Sequence, residues 1–320
     1  MALTKPLLPT PESLTLPEIF AHFDTEDKAR AYLEAIRWPM GPVCPHCSNR
    51  TEAAIWKIEP NEKKKIRAGL YHCGKCSKQF TVTVGTIFED SHIPLQKWLV
   101  AWYLLCSSKK GISSLQIQRT LGLGSYRTAL FMMHRIRYAL KDPVFSTKLS
   151  GIVEADETYV GGKTRGKGAH YLGNKTPVVS LVERKGRARS TVMENVNATN
   201  IKAHLTEHVQ KSARIMTDEA VPYIRAGREF ASHERVNHKL REYARGDVTT
   251  NTVEGYFSLL KRGIIGTFHN VSKKHLPLYL AEFDHRYNHR KVTDGERTLE
   301  GIAKVEGKRL TYKPLTGSKD

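Results

Sequence analysis

Paired cysteines constrain the first third of this chain more than any other feature. Four of the five cysteines form two C-x-x-C pairs with 25 residues between them: Cys44 with Cys47, and Cys73 with Cys76. Each pair makes a tight turn that presents two thiolates to one ion, so two pairs complete a tetrahedral zinc site. Short β-like runs occur at 55–58 and 79–84. This pattern predicts a zinc ribbon over residues 41–92 that holds one structural Zn²⁺.

The net charge restricts the partners of the chain. It contains 51 Lys and Arg against 32 Asp and Glu, for a formal charge of +19 and a pI near 9.7. Such an excess favours a polyanion as partner, and double-stranded DNA is the leading candidate over a merely basic surface. The longest apolar run, 98–106, is too short to span a bilayer, so no membrane role is expected. No signal segment opens the sequence, which predicts a reducing, cytoplasmic location.

Helical patterns lie on both sides of the ribbon. Residues 1–40 are predicted to form an N-terminal helical segment. Three further helical stretches follow the ribbon, at 95–108, 113–123 and 125–140. A short helix, a turn at Gly122 and Gly124, and a longer basic helix predict a helix-turn-helix over residues 93–142. Arg127 lies at the start of the last helix, where such motifs contact base edges, and is therefore a candidate DNA-binding residue.

The most strand-like segment of the chain, IVEADETYV at 152–160, carries the acids Glu154, Asp156 and Glu157. A buried carboxylate is costly unless it is paired, solvated or bound to a cation. Side chains alternate along a strand, so Glu154 and Asp156 share one face and Glu157 points to the other. Asp156 is the favoured cation ligand. Glu157 is expected to form a salt bridge or to lie just outside the metal ligands. Glu154 is also not chosen as a ligand, although the argument against it is the weaker one.

The order of elements from 150 to 290 predicts the fold of this region. Three strands, a helix, a strand, a helical segment, a short strand and a helix are typical of a ribonuclease-H-like α/β domain with a mixed sheet and flanking helices. A central first strand beside the fourth strand would bring Asp156 next to Asp218, with Glu254 added by the last helix. Carboxylates so placed repel one another unless cations bind, and two Mg²⁺ (or Mn²⁺) ions are the usual solution. Residues 291–320 are assigned to a C-terminal tail.

The predicted helix at 249–262 has one polar stripe. Asn251, Glu254 and Lys261 recur at helical spacing and share a face. An ordinary amphipathic surface helix would show the same pattern. Lys261 lies two turns beyond Glu254, about 10 Å along the axis, so it is expected to meet substrate phosphate rather than metal.

Several segments carry a resemblance to a known family. Asp218 and Glu254 have 35 residues between them, an interval typical of the D-D-E transposase and retroviral integrase superfamily. The chain also contains four longer segments in order: EADETYVGGK at 154–163, SHERVNHK at 232–239, TNTVEGYFSLLKRG at 250–263 and GTFHNVSKKHLPLYLAEFDHRYNHR at 266–290. Over roughly residues 40–290 the sequence resembles bacterial insertion-sequence transposases of the ISXO type, which carry an N-terminal zinc ribbon.

The resemblance implies metal-dependent cleavage and strand transfer of DNA. The implied substrates are terminal inverted repeats and target DNA, bound by a homo-oligomer in the bacterial cytoplasm at the nucleoid. In this family the third acidic position is Asn or Glu, followed by a Lys that Lys261 matches. Both Asn251 and Glu254 are present, so the third residue stays open between them. The family's histidines correspond to His233 and His238, together with His269.

Two other functions fit the same residues. A ribonuclease-H-like nuclease would share the metal site and stop after hydrolysis. A DNA-binding regulator derived from a transposase would retain the fold without catalysis, although the presence of Asp156, Asp218 and Glu254 argues against it.

Overall fold

A computed structural model describes residues 14–141, 147–162, 173–240, 242 and 244–312. Residues 163–170, a glycine- and lysine-rich segment that the sequence predicts to be a loop, lie entirely outside the described residues. The chain divides into two compact units, residues 1–140 with 292–320 and residues 141–291. Within the described ranges, no helix has the length and apolar character needed to cross a membrane.

The first unit combines helices with a small sheet. Its described elements are α1 (Leu16–His22), α2 (Glu26–Arg37), β1 (Ile55–Ile58), β2 (Leu70–Cys73), β3 (Lys78–Phe80), α3 (Leu95–Ser107), α4 (Ser114–Thr120), α5 (Tyr126–Ala139) and α10 (Asp294–Ile302). Short 3₁₀ turns at Glu52–Ala54 and Ala303–Val305 complete it. The last helix lies in the stretch that the sequence assigned to a C-terminal tail, and it packs on α3, where Arg297 donates to the carbonyl of Cys106 (2.9 Å).

The three strands of this unit form an antiparallel sheet in the order β1-β2-β3. Its buried side is aromatic: Tyr71 stacks on Phe80, and Trp38 meets both rings edge-on. Strand β1 coincides with the predicted run at 55–58, whereas β3 ends at Phe80. The predicted extension to residue 84 is wrong because residues 81–84 form a hydrogen-bonded turn instead.

Helices α4 and α5 begin at serine caps. Ser113 and Ser125 each accept a hydrogen bond from a backbone N–H three residues on, both at 3.1 Å. Two of the basic residues of α5, Arg135 and Arg137, are buried, so they do not contribute to a basic surface on this helix. Arg135 lies over the ring of Trp98, 5.5 Å from its centroid, so its charge stabilises the core of this unit.

The second unit is a mixed α/β structure. Its described elements are β4 (Ile152–Val160), β5 (Thr176–Glu183), β6 (Ala188–Val192), α6 (Ala198–His208), β7 (Arg214–Thr217), α7 (Val221–Ala226), β8 (Ser232–Arg235), α8 (Asn251–Gly263) and α9 (Leu276–Asn288). Two 3₁₀ turns, Gly227–Glu229 and His238–Leu240, and a π-helical turn, Ile264–Phe268, join them.

The five strands form one sheet in the order β6-β5-β4-β7-β8. Strands β6, β5 and β4 are antiparallel, whereas β4, β7 and β8 are parallel. Strands β5 and β6 form a hairpin, and Lys185 in its turn has φ 58°. The first strand of the unit is therefore central and lies beside the fourth, as the sequence predicted.

The two faces of β4 have different roles. Val153 and Ala155 point into an apolar cluster with α6, α7 and the side chain of Tyr223. Glu154 and Asp156 lie on the opposite face, against α8. The alternation predicted for this strand is confirmed, and it places the acid-bearing face under the helix that carries Glu254.

A buried polar network fixes α8 and α9 to the edge of the sheet. Asp284 of α9 accepts from the backbone N–H and hydroxyl of Ser190 (both 2.8 Å) and from the hydroxyl of Tyr256 (2.6 Å). Asn288 pairs with both backbone polar groups of Ala188. These contacts join α8, α9 and β6, so the helix of the candidate site is held along its length.

Candidate active site and zinc centre

The four paired cysteines converge in the first unit. Their Sγ atoms all lie within 4.8 Å of one another. The Sγ atoms of Cys44 and Cys76, and those of Cys47 and Cys73, are 3.7 Å apart. A tetrahedral ion with Zn–S bonds of about 2.3 Å requires S···S separations of about 3.8 Å. The donor set and its spacing therefore fit a structural zinc ion with four protein ligands and no open position.

Asp156 and Asp218 lie side by side in the second unit. The parallel pairs of β4 with β7 end with Glu154 opposite Met216. Asp218 follows two residues later, close enough to Asp156 for its charge to raise the pKa of that carboxyl. Neighbouring strands lie about 4.8 Å apart. Asp218 follows the last residue of β7 and accepts a hydrogen bond from the N–H of Ala220 (2.9 Å), which fixes it at the end of the strand.

The charge around Asp156 is uncompensated. Burial, together with repulsion from Asp218, Glu157 and Glu254, raises the pKa of Asp156 to about 8. Glu157 also has a raised pKa, mainly through burial, and it forms no ion pair with any described residue. The predicted salt bridge of Glu157 is therefore not formed with a described residue, and the alternative prediction, a position just outside the metal ligands, stays open. Clustered carboxylate oxygens without a side-chain cation are a donor set that suits Mg²⁺.

Glu254 lies at the margin of this acidic cluster. It adds a smaller repulsion to Asp156 than Asp218 or Glu157 does. Its half-exposed carboxylate accepts from the hydroxyl of Thr250 (2.7 Å) and lies 3.6 Å from Nε2 of His238. Among the described residues only the cysteines have three or more ligand atoms within 4.8 Å of one another, so the three acids are more widely spaced.

Asn251 and Lys261 mark the two ends of α8. Asn251 is the first residue of the helix and is exposed. Lys261 is also exposed and borders a cavity of about 530 Å³. Tyr159 at the end of β4 and His269 after the π-helical turn line the same cavity.

Glu154 has a role that the sequence did not predict. Its side chain is fully buried, and its carboxylate accepts from the N–H groups of Thr252 and Val253 (2.7 and 3.0 Å), and from the Thr252 hydroxyl (2.8 Å). Arg184 donates to it at 2.7 Å. Glu154 therefore caps the first turn of α8, where a negative charge is stabilised by the unpaired N–H groups. The signal available in the sequence was its shared face with Asp156.

Arg184 extends this anchor to the segment before the helix. Its guanidinium donates to the carbonyls of Asp247 (2.7 Å) and Thr249 (3.0 Å). Glu154 and Arg184 together fix both the start of α8 and its approach, so they set the position of Glu254 relative to β4.

Two of the family-matched histidines support the acids. His233 contacts the hydroxyl of Thr217 through Nε2 (3.0 Å), next to Asp218. A side chain at Gly227 would meet its ring at 2.3 Å, so His233 is closely packed and positions the end of β7. His238 faces Glu254 instead.

Arg127 lies on the first turn of α5. It is exposed, as is the neighbouring Tyr126, and its side chain forms no ion pair with a described residue. The first turn is thus the part of α5 that is available to a partner.

Comparison with known proteins identifies the class of protein. Residues 148–288 match the ISXO2-like transposase domain, and residues 24–79 match the transposase zinc-ribbon domain. An uncharacterized protein in the transposable element ISH50 of Halobacterium salinarum is 31% identical over 288 residues, which cover 82% of this chain and 91% of that protein. The acid-bearing sheet and the cysteine cluster are thus those of a transposase with a zinc ribbon. The chain belongs to the ISXO2-like transposase family.

Proposed function

We propose that the second unit is a ribonuclease-H-like catalytic domain in which Asp156, Asp218 and Glu254 form the active site of a DDE transposase. The supporting observation is the proximity of Asp156, on the central strand, to Asp218, which directly follows the adjacent parallel strand; the repulsion between them contributes to the raised pKa of Asp156. The strand order, with three antiparallel strands followed by two parallel ones, also favours this fold.

The proposed reaction consists of two displacements at phosphorus. Hydrolysis of a phosphodiester at the terminal inverted repeat frees a 3′-OH, and this hydroxyl then attacks a phosphodiester of the target DNA. Two Mg²⁺ ions, when bound, would supply activation of the nucleophile and stabilisation of the leaving oxygen. Asp156 and Asp218 would hold them, because neither carboxylate forms an ion pair with a described residue.

Glu254 is the better candidate than Asn251 for the third residue of the site. Its carboxylate provides an anionic oxygen that a neutral amide lacks, and it is the one whose charge acts on Asp156. Lys261 would bind a phosphate of the DNA at the cavity that it borders. His238 would limit the orientations of the Glu254 carboxylate until metal and DNA bind.

The first unit would recognise the ends of the element. Helices α4 and α5 are proposed as a helix-turn-helix, with Arg127 on the exposed first turn as the DNA-contacting residue. The net charge of +19 would make this binding depend on salt concentration. Both ends of an element must be held for strand transfer, so a homo-oligomer on DNA is the proposed active form.

A strand-transfer assay with a labelled duplex from the DNA flanking the gene tests this proposal. Wild-type protein with Mg²⁺ should produce nicked ends and products joined to target DNA, whereas Asp156→Asn and Asp218→Asn should bind the duplex and produce neither. Cleavage without joining would show a nuclease instead. Specific binding without Mg²⁺-dependent cleavage by the wild type would show a regulator.

A further inference from the structure

The exposed face of the ribbon sheet carries a row of three side chains, two of them aromatic. The strand register aligns Trp56 with His72 and His72 with Gln79, so the three side chains lie across β1, β2 and β3 on one face. Tyr71 and Phe80 occupy the other face and are buried. The row is therefore on the side of the sheet that the ribbon core does not cover.

Trp56 is the exposed tryptophan of the chain. Its side chain is 51% exposed, whereas the other three tryptophans are buried: Trp38, Trp98 and Trp102. Its ring packs at 4.6 Å from the ring of His72, and a side chain on Gly74 would come within 3.1 Å of it. The indole is thus supported on one side and open on the other, so it loses little conformational freedom when it binds a partner.

Positive charge is concentrated in the segment of the ribbon that carries this row. Residues 52–79 contain seven Lys or Arg and three Glu. Lys63, Lys64 and Lys65 are exposed on the turn between β1 and β2, which is closed by hydrogen bonds between Asn61 and Ile66 (3.0 and 2.9 Å). None of these three lysines forms an ion pair with a described residue. An ordered cluster of uncompensated lysines is complementary to a polyanion.

We propose that this face of the zinc ribbon binds DNA, with the lysines of the turn on phosphates and Trp56 against bases or sugars. An exposed aromatic ring together with exposed, unpaired lysines is the combination that binds nucleic acid through stacking and charge. The proposal rests on the proposed function, since it assigns part of the recognition of the element's ends to the ribbon. It adds a second contact surface to the one proposed on α5.

Tryptophan fluorescence tests the contact directly. Zinc-loaded, full-length Asp156→Asn protein is titrated with the end duplex, and acrylamide quenching is measured with and without DNA. DNA should reduce quenching of the exposed indole, and Trp56→Phe should remove the DNA-dependent change. Trp56→Ala should weaken binding by about 5- to 150-fold, the range for removing one aromatic ring that stacks on a base. Phe20→Ala, at a residue 55% exposed on α1, is the matched control and should bind normally.

Salt dependence tests the lysines. Replacing Lys63, Lys64 and Lys65 by alanine should lower the slope of log K against log salt by up to about 3, or roughly 0.9 for each phosphate that is no longer neutralised. Unchanged quenching on DNA addition, with normal binding by Trp56→Ala, would overturn the proposal. If acrylamide quenching of Trp56 falls when the protein concentration is raised without DNA, the face mediates self-association, and the proposal is overturned as well. Failure of cleavage by the wild type would refute the catalytic proposal only, because these readouts require no chemistry.

Discussion

Replacing Glu154 by glutamine removes one negative charge from the buried contact between β4 and α8. The carboxylate accepts four hydrogen bonds, three from the first turn of α8 and one from Arg184. An amide has one accepting oxygen and one donating nitrogen, so the Glu154→Gln side chain must turn its NH₂ either toward the helix N–H groups or toward the guanidinium. The second orientation is less costly. The NH₂ then replaces the oxygen that accepts from both Arg184 and the Thr252 hydroxyl, and that hydroxyl can rotate to accept from the NH₂. Arg184 is left without its carboxylate partner.

The expected loss of stability follows from this arrangement. Removing one member of a buried ion pair costs about 3–5 kcal/mol. In a unit of this size each kcal/mol lowers the melting temperature by about 2–4 °C, so the unfolding transition of the second unit should fall by about 6–20 °C.

The effect on activity should exceed the loss of folded protein. A shift of about 1 Å in a catalytic group can cost about 100-fold in rate, and removing a side chain that supports a metal ligand typically weakens metal binding by about 10–100-fold. We therefore expect slower single-turnover cleavage of the end duplex and a raised half-saturating Mg²⁺ concentration, measured well below the melting temperature. Binding of the duplex should be unchanged.

Glu183→Gln is the matched control. Glu183 lies on β5, accepts two hydrogen bonds from Ser150 at 2.9 Å, and makes no hydrogen bond to α8. It should lower stability without altering the Mg²⁺ dependence of cleavage. If Glu154→Gln melts like the wild type and cleaves at the same Mg²⁺ concentration, the anchoring role of Glu154 is refuted.

Four further predictions address other parts of the molecule. Cys73→Ser should abolish zinc content, measured by elemental analysis, and unfold residues 40–90 while the second unit keeps its own melting transition. Arg127→Ala should weaken binding to the element's ends by about 1–3 kcal/mol more than binding to random duplex in a competition assay, and an equal loss on both would indicate a phosphate contact. Glu254→Gln should abolish Mg²⁺-dependent cleavage of the end duplex and Asn251→Ala should reduce it less; the reverse order would make Asn251 the third residue of the site. Burial, with repulsion from neighbouring positive charges, lowers the pKa of His204 to about 3. The unfolded chain, with a pKa near 6.5, takes up the proton first as pH falls, so His204 should contribute a loss of about 1.4 kcal/mol between pH 7.5 and 5.5, and the loss measured by denaturant titration should be smaller by that amount in His204→Leu.

The sequence was most informative where a short pattern fixes the geometry. Two C-x-x-C pairs specify a four-thiolate site because each pair forms its own turn, and the structure brings all four sulfurs together. Alternation along residues 152–160 was sufficient to separate Glu154 and Asp156 from Glu157, because side chains on a strand point to opposite faces in turn. The element order of the second unit also followed from local patterns.

The tertiary structure decided what each acid and base contacts. In the sequence, Arg135 and Arg137 look like surface residues of a basic helix, yet both are buried. Their burial could not be predicted, because the packing of α5 cannot be derived from its own periodicity. Residues 294–302 form a helix on α3, a contact between segments almost 200 residues apart. Glu154 carries the same charge as Asp156 and shares its face, but only the position of α8 makes Glu154 an anchor for the helix, whereas Asp156 forms no ion pair with a described residue. Local sequence determines which face of a strand a side chain occupies, whereas its partners come from segments far along the chain, and burial beside those partners sets its charge state.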